Sequence, residues 1–166
     1  MDAKKDNEPT LTKKRTTVER RSDRELVVTR TFNCSARILF EAWTKSELFK
    51  QWWVPKSIGM SLLSCELDVR VGGTYRLVFA NDASKPMAFF GRYLEVTPPS
   101  RIVWTNDEGG DGGAVTTVTF TENGEKTLLV LHDLYPSKEA LDAALGSYDG
   151  MQETLDQLDE LLLSRA

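Results

Sequence analysis

The C-terminal stretch, residues 137–164 (SKEALDAALGSYDGMQETLDQLDELLLS), constrains the fold more than any other part of the chain. Its apolar residues Leu141, Leu145, Tyr148, Met151, Leu155, Leu158 and Leu162 recur at steps of three or four. That spacing lines them along one face of an α-helix, and such a face has to be buried. At ~1.5 Å per residue the stretch makes a rod of roughly 42 Å. Ser137, after Pro136, suits the N-cap, and Glu139 suits the positive end of the helix dipole. Gly146 and Gly150 fall opposite the Leu stripe, and each costs about 1 kcal/mol against Ala in a helix interior. They mark where such a rod would break, into a short helix and a main helix starting near Tyr148.

The rest of the chain supplies the surface to bury that face. Residues 25–32 (ELVVTRTF) alternate as a strand, with Leu26, Val28, Arg30 and Phe32 on one side. Arg30 is the misfit. The strand is read as edge-like with Arg30 reaching solvent; a buried guanidinium would instead need an acid partner or a wet cavity. Ser35 can cap a helix whose face is Ala36, Leu39, Phe40 and Trp43. Ser46 can cap a second, carrying Leu48, Phe49, Trp52 and Trp53 and ending at Val54-Pro55. From residue 61 the period becomes two. Leu63, Cys65, Leu67 and Val69 share a face, then Tyr75, Leu77 and Phe79. Residues 87–96 have conflicting faces that a bulge near Gly91 would reconcile. Ile102 with Trp104, Val118 with Phe120, and Leu129 with Leu131 complete the inward faces. The Gly-rich run at 106–113 reads as a flexible loop. Consecutive hairpins imply an antiparallel sheet, so the fold class is α+β: a bent sheet of about six to seven strands wrapped around a C-terminal helix.

Composition bounds the function. One domain is expected for 166 residues. There is no apolar run long enough to span a membrane and no secretory signal, and Cys34 and Cys65 fit free thiols in a reducing cytoplasm. Residues 1–24 hold eight Lys/Arg against five acids, a net +3, which leaves −7 on residues 25–166. An acidic body argues against nucleic acid as the folded domain's ligand. The division expected is a disordered basic extension over 1–24 and a folded domain over 25–166.

The motifs AWT…L…WW-x-P, then D-x-R-x-GG, then E-x-x-PP, taken together over residues 25–164, resemble the family of activator-of-heat-shock-protein-90-ATPase homologues. That family lies in the START-like (SRPBCC, birch-pollen-allergen) superfamily. The sequence departs from the pattern at Val54 and Val71, where relatives often carry Gly and Pro. The resemblance implies a helix-grip fold: a seven-stranded antiparallel sheet gripping the C-terminal helix, with two small helices at one end. It also implies a cavity for lipids, polyketides or aromatic compounds. The co-chaperone role belongs to a larger eukaryotic protein with a further N-terminal domain, which these residues do not contain, so that role is not expected to carry over.

Chemistry-bearing motifs are sparse. The scattered Cys34, Cys65 and His132 lack metal-ligand spacing, no nucleophile elbow is present, and GGDGG lacks the Lys-Ser/Thr of a phosphate loop. Neither metal nor cofactor is expected. A cyclase would need only a shaped pocket and one proton shuttle, for which His132, Glu66, Asp68, Arg30 and Tyr93 are the polar candidates. His132 has the outward parity of Leu128 and Val130 and reads as a surface residue. The aromatics Trp52, Trp53, Tyr75, Phe79, Phe89, Tyr93 and Trp104 are the stronger candidates for lining a cavity, with about half expected to line it and half to pack. Cys65, Tyr148, Met151 and Leu155 join them, and Arg30 and His132 are the possible polar members. The function expected is binding of a small hydrophobic molecule. The alternatives are a polyketide-cyclase-like enzyme using the same pocket and an interaction or co-chaperone module, with a homodimer as a further possibility.

Overall fold

The computed structural model describes residues 16–80, 85–108 and 113–165. The loop tips at 81–84 and 109–112, and residues 1–15 of the expected disordered extension, lie outside the described residues. Within that extension Thr17–Arg20 form a strand, β1, antiparallel to β2 (Glu25–Phe32), with Val18 opposite Val28. All four β1 side chains are exposed, so the strand leaves no mark in the hydropathy; besides the backbone ladder, the Thr17 and Thr29 hydroxyls hydrogen-bond across the pair. The sheet therefore has eight strands, not six or seven, in the order β1-β2-β8-β7-β6-β5-β4-β3.

With β1 laid along it, β2 is not an edge, and Arg30 does not reach solvent. It is 3% exposed and faces the C-terminal helix. Its guanidinium pairs with Asp156 at 2.7 Å and Asp159 at 3.1 Å, and donates to Thr16 Oγ1 at 3.0 Å. The acid partners that a buried guanidinium requires lie about 126 residues away in sequence, where local pattern cannot show them.

After β2 the chain crosses the sheet through a helical clip. Helix α1 (Ala36–Thr44) is capped by Ser35, whose Oγ accepts from the Ile38 N–H at 3.3 Å, and it buries Leu39, Phe40 and Trp43 as its spacing predicts. Helix α2 (Ser46–Phe49) is a single turn with Lys45 at its N-cap and no side-chain cap. Trp52 and Trp53 therefore lie in the turn beyond it rather than on its face. A 3-10 turn, Lys56–Ile58, leads to the far sheet edge.

There β3 (Ser61–Leu67) starts a meander through β4 (Thr74–Ala80), β5 (Met87–Thr97), β6 (Arg101–Thr105), β7 (Val115–Asn123) and β8 (Lys126–Leu134), which returns to β2. A bulge between Leu62 and Ser64 turns Leu63 out, 59% exposed, against the expected inward face. The irregularity in β5 lies between Tyr93 and Glu95, not near Gly91. Gly91 has another reason to be glycine: a Cβ there would sit 2.0 Å from the Thr105 carbonyl oxygen. Phe89 and Tyr93 turn inward, while Phe90 and Leu94 are 40% and 47% exposed on the outer face.

The C-terminal stretch is not one rod. It is α3 (Lys138–Ala144), a 3-10 turn Leu145–Tyr148, and α4 (Met151–Arg165). The break lies at the glycine pair. Leu141, Leu155, Leu158 and Leu162 face the sheet, but the break turns Leu145 out to 38% exposure. Gly150 packs against the clip: a Cβ there would lie 2.8 Å from Pro55 Cγ. Gly146 has nothing within 4 Å.

A cavity with a carboxylate in its wall

The broken helix leaves a hollow of about 690 Å³ between the bent sheet, the clip and the helical break. Its roof is built from small side chains. Ala140 and Ala144 on α3, then Ser147 and Gly150 in the break, occupy the face over the hollow, where larger residues would fill it. Farther along, Leu155 and Leu158 are fully buried between α4 and the sheet. The hollow therefore coincides with the break.

The segment after the clip forms one side of the opening, and α4 holds it in place. Gln157 Nε2 donates to the carbonyls of Trp52 and Val54 at 3.0 and 2.8 Å, and its Oε1 accepts from Lys56 N at 2.9 Å. Glu153 accepts from Ser57 N at 2.9 Å and from the Ser57 hydroxyl. The rim residues Ile58, Met87 and Phe89 are apolar and substantially exposed.

The walls are largely aromatic. Trp53, Tyr75, Phe79, Phe89, Tyr93 and Trp104 line the hollow, with Tyr148 and Met151 from the helix side. Trp43 joins them from α1; its indole packs 4.8 Å from Trp52 and 6.1 Å from Trp104, centroid to centroid. The remaining candidates fall elsewhere. Trp52 is fully buried beneath the clip and donates to Ala42 O at 3.0 Å. Leu155 is core. Cys65 lies outside the lining; its thiol contacts Ser46 O at 3.8 Å, and burial pushes its pKa up to about 11, so it is no ready nucleophile. Arg30 sits under α4 with its two acids. His132 points to the outer face, 2.9 Å from the Glu25 carboxylate, and that hydrogen bond holds Glu25 below the usual carboxylate range.

The polar part of the wall is one that the candidate set did not include. Asp133 on β8 is 8% exposed and lines the hollow. Its Oδ1 accepts from the Thr116 hydroxyl and its Oδ2 from the Tyr148 hydroxyl, each at 2.5 Å. Because the single Tyr148 proton goes to Asp133, Tyr135 must donate to Tyr148 across their 2.5 Å contact. On the other side Asn106 Nδ2 donates to Thr116 Oγ1 at 3.0 Å, and the Tyr75 hydroxyl reaches Thr105 O at 2.8 Å and Asn106 Oδ1 at 3.2 Å. Protons thus point from both sides toward Asp133, the arrangement that suits an ionised carboxylate. Burial nonetheless raises the Asp133 pKa, against the lowering effect of its two hydroxyl donors. Burial likewise holds Tyr75, Tyr93, Tyr135 and Tyr148 neutral by raising their pKa values. A signal was present in the sequence: Asp133 has the parity of Leu129 and Leu131, so an acid stands at an inward position of a core strand.

Comparison with known proteins fits this geometry. The model of the Activator of Hsp90 ATPase homolog 1-like protein family matches residues 33–163, from the end of β2 to near the end of α4. The chain belongs to that family. Solved structures share the fold. A Rhodobacter sphaeroides protein superposes with a TM-score of 0.82 at 22% identity, covering 90% of this chain and 99% of its own. A Chromobacterium violaceum protein gives 0.70 at 28% identity over 82% and 96%. The AHSA1-like protein of Aeromonas hydrophila gives 0.64 at 18% identity over 84% and 93%. No curated protein shows significant similarity to the chain. For this member of the family, the helix-grip architecture is the one its sequence pattern implies. Among the described residues no helix is long and apolar enough to cross a membrane, and no group of His, Cys, Asp and Glu is arranged to hold a metal.

Proposed function

We propose that this protein binds a small, mainly apolar molecule in the hollow between its sheet and its broken C-terminal helix. The observation that carries the reading is the volume, about 690 Å³, walled by indole, phenol and phenyl rings and edged by exposed apolar side chains. Ligand sites are typically ~300–1,000 Å³ and mostly apolar with a few fixed polar groups. A fully packed core of this size would leave far less empty space. A cytoplasmic setting is supported by the two free cysteines, Cys34 and Cys65. The test is a thermal-shift panel of fatty alcohols, sterols and flat polycyclic aromatics, with Ala144→Phe as the control that fills the hollow. Saturable stabilisation of the unaltered protein, lost in Ala144→Phe, is expected. No shift with any apolar class sinks the reading.

A second reading, acid–base catalysis in the same hollow, is favoured by one observation: the Tyr135–Tyr148–Asp133 series of hydroxyls and carboxylate in its wall. His132, on the outer face, is not placed to serve such a step. Turnover of a guest that Tyr148→Phe abolishes, with binding intact, would establish it.

A further inference from the structure

Among the described residues that line the hollow, two bear carboxyl groups, Asp133 and Glu108. Among the described residues no Lys, Arg or His lines it. Asp133 receives hydrogen bonds only from neutral hydroxyls, and no cation pairs with it among the described residues. Glu108 stands near the opening, where its Oε1 accepts from Phe90 N at 3.2 Å. The walls between are π-faces, and the negative face of an aromatic ring attracts a cation. A buried carboxylate without a counter-charge is expensive, and a charged donor that supplies one is bound more strongly than a neutral donor.

From this we infer that the guest is an organic cation: an apolar, ring-bearing amine whose ammonium group pairs with Asp133 while its body lies among Trp53, Tyr75, Tyr93 and Trp104. The inference rests on the cavity reading above and adds the charge of the ligand. Burial raises the pKa of the acid, and a cation beside it would lower that pKa again. The free oxygen lone pairs of Asp133 suffice for this, since each oxygen accepts one bond from the protein and can accept another.

The experiment uses three probes with one body and three head groups: pyrenemethylamine, pyrenemethanol and pyrenecarboxylic acid. Binding is read from pyrene fluorescence at neutral pH. In the unaltered protein the amine is expected to bind tightest, the alcohol more weakly and the acid weakest. In Asp133→Asn the amine is expected to weaken by roughly 30-fold or more, as when one partner of a buried charged pair is truncated. The alcohol is expected to change little. Ranking in the unaltered protein decides the matter even if the variant folds poorly. Equal binding of amine and alcohol, or tighter binding of the acid, overturns the cation assignment and leaves the cavity reading intact. No saturable signal from any of the three overturns both.

Discussion

Asp133 sits where burial and hydrogen bonding oppose one another, and burial has the larger effect, so its carboxyl titrates above the ordinary 3.8. The sign of the linkage follows. Below about 3.8 the group is protonated in both folded and unfolded chains and does not affect stability. As pH rises from about 3.8 toward the higher folded-state value, the unfolded chain ionises while the folded one keeps its proton, and stability is lost. Relative to Asp133→Asn, the unaltered protein should therefore lose stability steadily as pH rises above about 3.8, levelling off once the folded carboxyl is ionised. Urea unfolding of both proteins across the acid range measures this. A difference that is flat, or that favours Asp133 as pH rises, would contradict the burial argument. The glycines give a second residue-scale contrast. Gly146→Ala meets nothing and should be neutral or stabilising by up to about 1 kcal/mol. Gly150→Ala puts a methyl group against the stiff Pro55 ring and should destabilise, despite Ala's better helix propensity. Thermal unfolding of the two variants side by side checks it, and equal effects would remove the close-approach explanation.

At the scale of elements, three junctions hold the hollow open. Gln157 and Glu153 tie the segment after the clip to α4. The break at 145–150 lifts α3 off the line of α4. Arg30 fixes α4 to β2 through Asp156 and Asp159. Arg30→Ala leaves two acids facing an apolar sheet, and its cost should approach but not reach the ~3–5 kcal/mol of breaking a fully buried pair, because Asp156 is 34% and Asp159 18% exposed. Equilibrium urea unfolding would measure that loss; a change under about 0.5 kcal/mol, the range of ordinary surface substitutions, would show that the triad is incidental.

For the molecule as a whole, the consequence of a hollow core is linkage between guest and stability. A guest at 100 times its dissociation constant adds ~2.7 kcal/mol, which for a domain of this size is a rise in Tm of roughly 5–11 °C. Ala144→Phe should abolish that rise without lowering the Tm of the empty protein. Loss of stability in that variant would mean that residue 144 faces packed core. The amino-acid sequence alone determined the class of fold: period-two alternation over 61–133 and period-3.6 alternation in the final stretch require a sheet with an apolar face and a helix to cover it. It also determined most of the aromatic lining, because large rings at inward parity have few other places to go. Only the tertiary structure decided that Arg30 is buried, that β1 completes the sheet, and that Trp52 and Leu155 are core while Trp43 is wall. It also decided that Asp133 stands in the wall of the hollow while His132 points to the outer face. These outcomes depend on partners distant in sequence: Asp156 and Asp159 for Arg30, Thr116 and Tyr148 for Asp133, Pro55 for Gly150. Periodicity reports which side of an element a residue faces; what waits on that side is set by how the elements meet.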